Sequence, residues 1–180
     1  SIDGVVYSKD KKKLIYYPAG KTDAAFKVPN GVTSIPYGFA ICWNKNLKSI
    51  DFNQVESVGE YVMSVCHYLK EIRIPKTLTS IGEGAFTMFW RLEKFVVDPG
   101  NPNYSSDVNG VLFNKDKTQL LAYPMAREGE YTLPNTVTQI GKQAFLHAKI
   151  TQLTIPSRIT YIGYEAFRAT KIKTLTFEAV

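Results

Sequence analysis

The chain has 180 residues, 44% of them hydrophobic, with two cysteines and a formal net charge of +6. It is long enough for one sizeable core and too apolar for a disordered chain. No run of about 18 apolar residues occurs, which argues against membrane insertion, and no nucleic-acid-binding signature accompanies the positive charge, so no nucleic acid is expected as a partner.

In chain order, residues 1–27 open with two β-prone runs, Ile2-Asp3-Gly4-Val5-Val6-Tyr7 and Leu14-Ile15-Tyr16-Tyr17, around a Lys/Asp-rich turn. This pattern reads as a hairpin. Lys9 and Lys11-Lys12-Lys13 fall in its turn and read as solvated loop tips. A repeat follows at Val28-Pro29-Asn30-Gly31-Val32-Thr33-Ser34-Ile35 (residues 28–51), with Gly38-Phe39-Ala40 shifted so that its core aromatic slips one place. A degenerate copy (52–73) carries Val58-Gly59 and has Met63 where Phe is expected. The clearest copy (74–97) reads Ile74-Pro75-Lys76-Thr77-Leu78-Thr79-Ser80-Ile81-Gly82-Glu83-Gly84-Ala85-Phe86.

Within that unit Leu69-x-x-Ile72-x-Ile74 predicts a strand with one buried face. Pro75 ends it because proline cannot donate to the ladder. Leu78 to Ile81 predicts a second short strand, and Gly82 turns the chain. Glu83-Gly84-Ala85-Phe86 is too short for a helix alone; as one docked helical turn it would insert Phe86 into the middle of a core ladder.

A longer unit (98–132) then repeats the opening hairpin, because Gly4 to Pro18 matches Gly110 to Pro124 at an offset of 106 residues. Two further repeats, 133–154 and 155–180, carry Ile140-Gly141-Lys142-Gln143-Ala144-Phe145 and Ile162-Gly163-Tyr164-Glu165-Ala166-Phe167. The repeats recur every 22 to 23 residues, the period of leucine-rich-repeat solenoids. The expected fold is therefore an α/β, β-rich solenoid in one domain spanning residues 1–180, with short strands, one-turn helices and two longer hairpin-bearing repeats. No unit can bury its apolar side alone, so neighbours must stack.

Candidate chemistry is sparse. His67 and His147 share no short motif with a nucleophile or carboxylate and read as loop histidines. Cys42 and Cys66 come from adjacent units and read as free, buried small hydrophobes. Asp98, Asn101, Asn103 and Asp107 offer oxygen ligands, but Pro99, Gly100 and Pro102 interrupt them, and Asn/Asp at such positions satisfy turns. No catalytic motif, metal set or cofactor motif is present, so neither catalysis nor a cofactor is expected.

Two surfaces remain. Alternate strand residues should line up as one sheet face: Ser49 and Asp51, Glu71 and Arg73, Lys94 and Val96, Gln152 and Thr154, Thr174 and Thr176. Trp43, Tyr68 and Trp90 fall near the same point of three consecutive units and could form an exposed aromatic row, although packing at the solenoid edge fits them too.

The motif Ile-Pro-x-x-(Leu/Val)-Thr-x-Ile-Gly-x-x-Ala-Phe, with Asn101-Pro102-Asn103-Tyr104-Ser105 leading into Gly110-Val111-Leu112-Phe113-Asn114-Lys115-Asp116, resembles the BspA-like bacterial leucine-rich repeats. The resemblance covers essentially the whole chain. It implies a secreted or cell-surface bacterial protein with roles in adhesion and protein binding, and no catalytic residues. The expected partner is an extracellular or host protein, with a glycan or a spacer role as alternatives and end-to-end self-association at exposed strands. Ser1 aligns with Asp107, inside a unit, so a processed chain or a cut from something slightly larger is expected. No signal peptide is visible, so secretion would require its prior removal.

Overall fold

The computed structural model describes residues 1–179, and every regular element among them is a β-strand. Antiparallel strands β1 (Val6–Tyr7) and β2 (Leu14–Tyr16) make the opening hairpin, followed by β3 (Ala25–Lys27). Three coils come next, each with three short strands. They are β4 (Ser34–Ile35), β5 (Ile41–Cys42) and β6 (Ser49–Asp51); β7 (Ser57–Val58), β8 (Met63–Ser64) and β9 (Glu71–Ile74); and β10 (Ser80–Ile81), β11 (Phe86–Thr87) and β12 (Lys94–Val97). The long unit carries an antiparallel meander of β13 (Tyr104–Ser106), β14 (Leu112–Asn114) and β15 (Gln119–Ala122), then β16 (Gly129–Thr132). The last coils carry β17 (Gln139–Ile140) and β18 (Ile150–Ile155), then β19 (Tyr161–Ile162) and β20 (Thr174–Phe177).

Each coil is three-sided, and like strands stack in parallel: β4-β7-β10, β5-β8-β11 and β3-β6-β9-β12. The stacking follows from inward apolar residues that recur at the same place in each coil. Ile50, Ile72 and Phe95 are in register on one side, and Ile41, Met63 and Phe86 on another, all buried. Glycine allows the coils to approach closely where the first side turns. A Cβ on Gly82 would lie 2.4 Å from the Glu60 amide nitrogen, and one on Gly59 would lie 2.3 Å from the Pro36 carbonyl oxygen.

The expected one-turn helices are absent from the described residues, so the fold is all-β. At Gly82–Ala85 the chain closes a single turn, with the Ala85 N–H donating to the Gly82 carbonyl at 3.1 Å. Gly84 then takes φ +64°, and the equivalent Gln143 and Glu165 take φ 55° and 54°. One left-handed residue interrupts the right-handed run, so the turn does not continue as a helix.

Two further expectations change. Phe39 does not slip into the core; it is 57% exposed, and Ile41, fully buried, fills the ladder position. Phe86 is not mid-ladder, because β11 is the last strand of its sheet.

The core is divided. One apolar cluster holds residues of the first hairpin and three coils, and the other holds the long unit and last two coils. The meander is the partition between them. Leu112, Leu121 and Ala122 pack on the first cluster, whereas Val111, Phe113, Leu120 and Tyr123 pack in the second. Beyond the partition a new ladder starts, with Tyr123 stacked on Phe145 at 5.0 Å and Phe145 on Phe167 at 5.4 Å.

Candidate functional site

The strand face forms as two patches rather than one. In β3-β6-β9-β12 the outward residues align in two rows, Ala25, Ser49, Glu71, Lys94 and Lys27, Asp51, Arg73, Val96. Gln152 and Thr154 lie on the separate sheet β16-β18-β20, in register with Thr174 and Thr176. The long unit interrupts the face at β12. There the Phe95 N–H donates to the Gly110 carbonyl at 2.9 Å, and a Cβ on Gly110 (φ +72°) would stand 2.3 Å from the Lys94 Cβ. A single hydrogen-bonded face was expected because the sequence repeat does not show where an inserted hairpin caps a sheet edge.

Charge on the first patch is internally paired. Glu71 accepts from Arg73 Nε at 2.7 Å and from Lys94 Nζ at 2.9 Å, and Lys27 lies 3.7 Å from Asp51. The Lys94 hydrogen bond, with the nearby Arg73 charge, holds the Glu71 carboxyl below its ordinary value.

The aromatic residues are exposed but out of register. Cys42, Ser64 and Thr87 are paired, so Trp43 aligns with Val65 and Met88, and all three have left-handed φ near 60°. Trp43 is 59% exposed. Tyr68 lies under the Arg91 guanidinium at 4.6 Å, and Trp90 packs on His147 at 4.5 Å. The Trp90 contact crosses from the third coil to the fourth repeat. Partial burial, and after it the neighbouring Arg168 charge, holds His147 below its ordinary pKa.

Cys42 and Cys66 are free and buried, and burial pushes the Cys66 thiol up to about 12. Asp98, Asn101, Asn103 and Asp107 bond main chain and one tyrosine. Asn101, fully buried, donates through Nδ2 to the Pro75 and Leu78 carbonyls at 2.7 and 2.9 Å. Its Oδ1 accepts from the Asn103 and Tyr104 N–H groups, both at 2.8 Å. Asp98 accepts from the Gly100 N–H, and Asp107 from the Asn109 and Val111 N–H groups and the Tyr131 hydroxyl. Among the described residues no group of three His, Cys, Asp or Glu converges as a metal site, and no helix is long and apolar enough to cross a membrane.

Two features escaped the sequence. Asn44 is a second buried plug. Its Nδ2 donates to the Pro18, Ala19 and Lys21 carbonyls, and its Oδ1 accepts from the Asn46 and Leu47 N–H groups. Asn-x-Asn before an apolar residue, shared by Asn44-Lys45-Asn46-Leu47 and Asn101-Pro102-Asn103-Tyr104, was the available signal. The other feature is a cavity of about 360 Å³ between the third coil and the partition. Its walls include Gly82 to Phe86 and Gly141 to Ala144, and its floor includes Leu112, Leu121 and Met125. Lys142 crosses its rim to Glu83 at 3.1 Å.

Comparison with known proteins places this geometry. No curated protein matches the chain. Among solved structures, it is similar to the pneumococcal vaccine antigen PcpA, with 25% identity over 84% of this chain and 38% of that one, at a TM-score of 0.75. It is also similar to a leucine rich cell surface protein from Faecalibacterium prausnitzii A2-165, with 24% identity over 86% and 41% and a TM-score of 0.73. A leucine-rich repeat protein from Eubacterium ventriosum ATCC 27560 shares 24% identity over 93% and 66%, with a TM-score of 0.57. The chain thus spans about two fifths of the first two and two thirds of the third. Six copies of the BspA type leucine rich repeat region match residues 22–109 and 128–180. The chain belongs to the BspA-type leucine-rich-repeat family.

Proposed function

We propose that the chain is a non-catalytic binding module of a bacterial surface or secreted protein, and that the β3-β6-β9-β12 face contacts an extracellular or host protein. One observation carries this reading: two outward rows of mixed charge stand in register on a rigid four-stranded sheet. Solenoids bind through such extended surfaces. Fixed rows of mixed charge select a partner by complementarity more than by raw affinity. Similarity to a structure described as a leucine rich cell surface protein agrees with that setting.

The test is a binding screen of the purified chain against immobilised extracellular-matrix proteins and a glycan array, with a salt titration. A saturable protein hit that survives moderate salt, and that weakens at least tenfold in the Arg73→Ala/Lys94→Ala double variant, is the expected result. Unchanged affinity in a folded double variant removes the strand face from the assignment. A glycan hit lost in Trp43→Ala or Trp90→Ala would move the function to sugar recognition.

A spacer role within a longer array is the second reading. The pairing of Glu71 with both Arg73 and Lys94 favours it, because a face whose charges neutralise one another presents little field to a partner. A blank screen on both panels would put the spacer ahead.

A further inference from the structure

The joint between the third coil and the meander is an interface within one chain, and both of its faces occur a second time, uncovered. The first hairpin repeats the meander in detail. Val6 pairs with Tyr16 and Tyr7 with Leu14, as Leu112 pairs with Ala122 and Phe113 with Leu120, each with the same register shift. The turn beyond is shared as well, since the Lys21 N–H donates to the Pro18 carbonyl and the Arg127 N–H to the Pro124 carbonyl, both at 3.2 Å. One face of each hairpin fills its own side of the core: Val5, Leu14 and Tyr17 in the first, Val111, Leu120 and Tyr123 in the second. The opposite faces differ in cover. Leu112 is fully buried in the first cluster, and Ala122 packs against it. Their counterparts, Val6 and Tyr16, are 39% and 43% exposed.

The last coil repeats the third in the same way. β20 is the outer strand of its sheet, as β12 is of its own. Asp98, three residues after Phe95, donates to the Ile74 carbonyl, and Glu178, three residues after Leu175, donates to the Ile155 carbonyl, both at 2.9 Å. The two strands therefore run in the same phase, and regular alternation along a parallel strand turns the Leu175 N–H outward, as that of Phe95 is turned toward Gly110. Phe95 is buried, whereas Leu175 is 43% exposed. Phe177 is exposed where Val97 is half-buried, and Ile162 is exposed where Ile81 is half-buried. An outer strand carrying several exposed apolar side chains is a surface for pairing.

We infer that the outer face of the last coil is an interaction surface for a second copy of this chain, which docks the outer face of its first hairpin there and continues the solenoid. The internal joint says which groups meet. Val6 and Tyr16 of the second copy would cover Leu175 and Phe177. The Leu175 N–H would donate to the second copy's Gly4 carbonyl, as Phe95 does to Gly110, and the second copy's Gly20 N–H to the Ile172 carbonyl, as Ala126 does to Leu92. The approach is open. A Cβ on Gly110 would stand 2.3 Å from the Lys94 Cβ, whereas Gly4, at a similar φ of +77°, has nothing within 4 Å of that position. Residues Asn101 to Ser106, which fasten the β10 side of the internal joint through the Asn101 plug and the Tyr104 hydroxyl, have no counterpart in such a pair. The pairing is therefore weaker than the internal joint and depends on protein concentration. The two faces are different patches, so the contact is heterologous and propagates along the solenoid axis. This surface is separate from the β3-β6-β9-β12 face and does not rest on its function.

The test is sedimentation velocity on the wild-type chain over about a hundredfold range of concentration, with Val6→Glu on the hairpin face and Leu175→Glu on the coil face. Tyr16→Glu and Phe177→Glu replace them should either fail to fold by circular dichroism. The wild type should grow in mass with concentration, and each variant alone should need a concentration at least about tenfold higher to do so. An equimolar mixture of the two variants should form a pair and nothing larger, because only one intact coil face and one intact hairpin face can meet in it. A wild type that stays monomeric throughout overturns the proposal, and so does a mixture that stays monomeric. Undiminished association of Val6→Glu alone would assign the contact to two coil faces, and undiminished association of Leu175→Glu alone to two hairpin faces. Either result also overturns head-to-tail docking.

Discussion

Removing the buried amide of Asn101 tests how the long unit is held to the coil before it. In Asn101→Ala, four main-chain groups lose their partner at once: the Pro75 and Leu78 carbonyls and the Asn103 and Tyr104 N–H groups. The side chain is fully buried, so water does not compete for these bonds in the native state. Each hydrogen bond contributes about 1 kcal/mol net, and each buried group left unpaired adds to the loss. A water entering the vacated space could restore part of this. The expected loss is therefore about 3–5 kcal/mol, or roughly 10 °C in Tm for a chain of this size. Urea unfolding followed by circular dichroism, with a thermal scan, measures it. Asn101→Asp keeps both accepted bonds but turns a carboxylate toward two carbonyl oxygens, so at neutral pH it should be at least as unstable as the alanine variant. An alanine variant within 1 kcal/mol of wild type, with an unchanged denaturant slope, would refute the plug.

The aromatic ladder should be unequal. Phe145→Ala removes a ring stacked on both sides and should lose about 3–5 kcal/mol in urea unfolding. Phe86→Ala borders existing empty space and should lose less; the reverse order would contradict the break at β11. Glu71 titrates below its ordinary value of 4.5, so its contribution is present above that pH and lost as pH falls through the lower folded value. Wild type and Glu71→Gln should accordingly differ in stability at pH 7 and converge at strongly acid pH, and a gap that persists into acid would disprove the pairing. The Cys66 thiol, pushed up to about 12 by burial, should resist a thiol reagent at pH 8 until the protein unfolds. Rapid native labelling at Cys66 would show that the core opens locally.

The stacking itself was legible in the sequence, because Ile50, Ile72 and Phe95 must be buried together and only parallel stacking at a fixed period brings them into register. The turn after Gly82 was not. Four residues with an Ala-Phe exit fit a helical turn and a left-handed corner equally well, and the difference lies in one φ at Gly84, Gln143 or Glu165. Trp43 and Trp90 look equivalent when counted in sequence from one unit to the next. They separate in space because Trp43 immediately follows the in-register Cys42, whereas Trp90 lies three residues beyond Thr87. The cavity had no sequence signal. It arises where two segments more than 30 residues apart fail to meet, and none of its lining residues is unusual in its own repeat.

The partition also has a mechanical consequence. At the joint between the two clusters, main-chain bonds persist beside β12, from Phe95 to Gly110 and from Ala126 to Leu92. On the opposite side the main chains part around the cavity, and the exposed ion pair of Lys142 with Glu83 reaches across the rim. Asn101 and Tyr104 fasten the β10 side as well, so the stack is tied along two of its three sides and would flex by opening or closing the third. Bending of this solenoid is therefore expected first at this joint, and an array of such hairpin-bearing units would behave as a chain of stiff segments with compliant elbows between them.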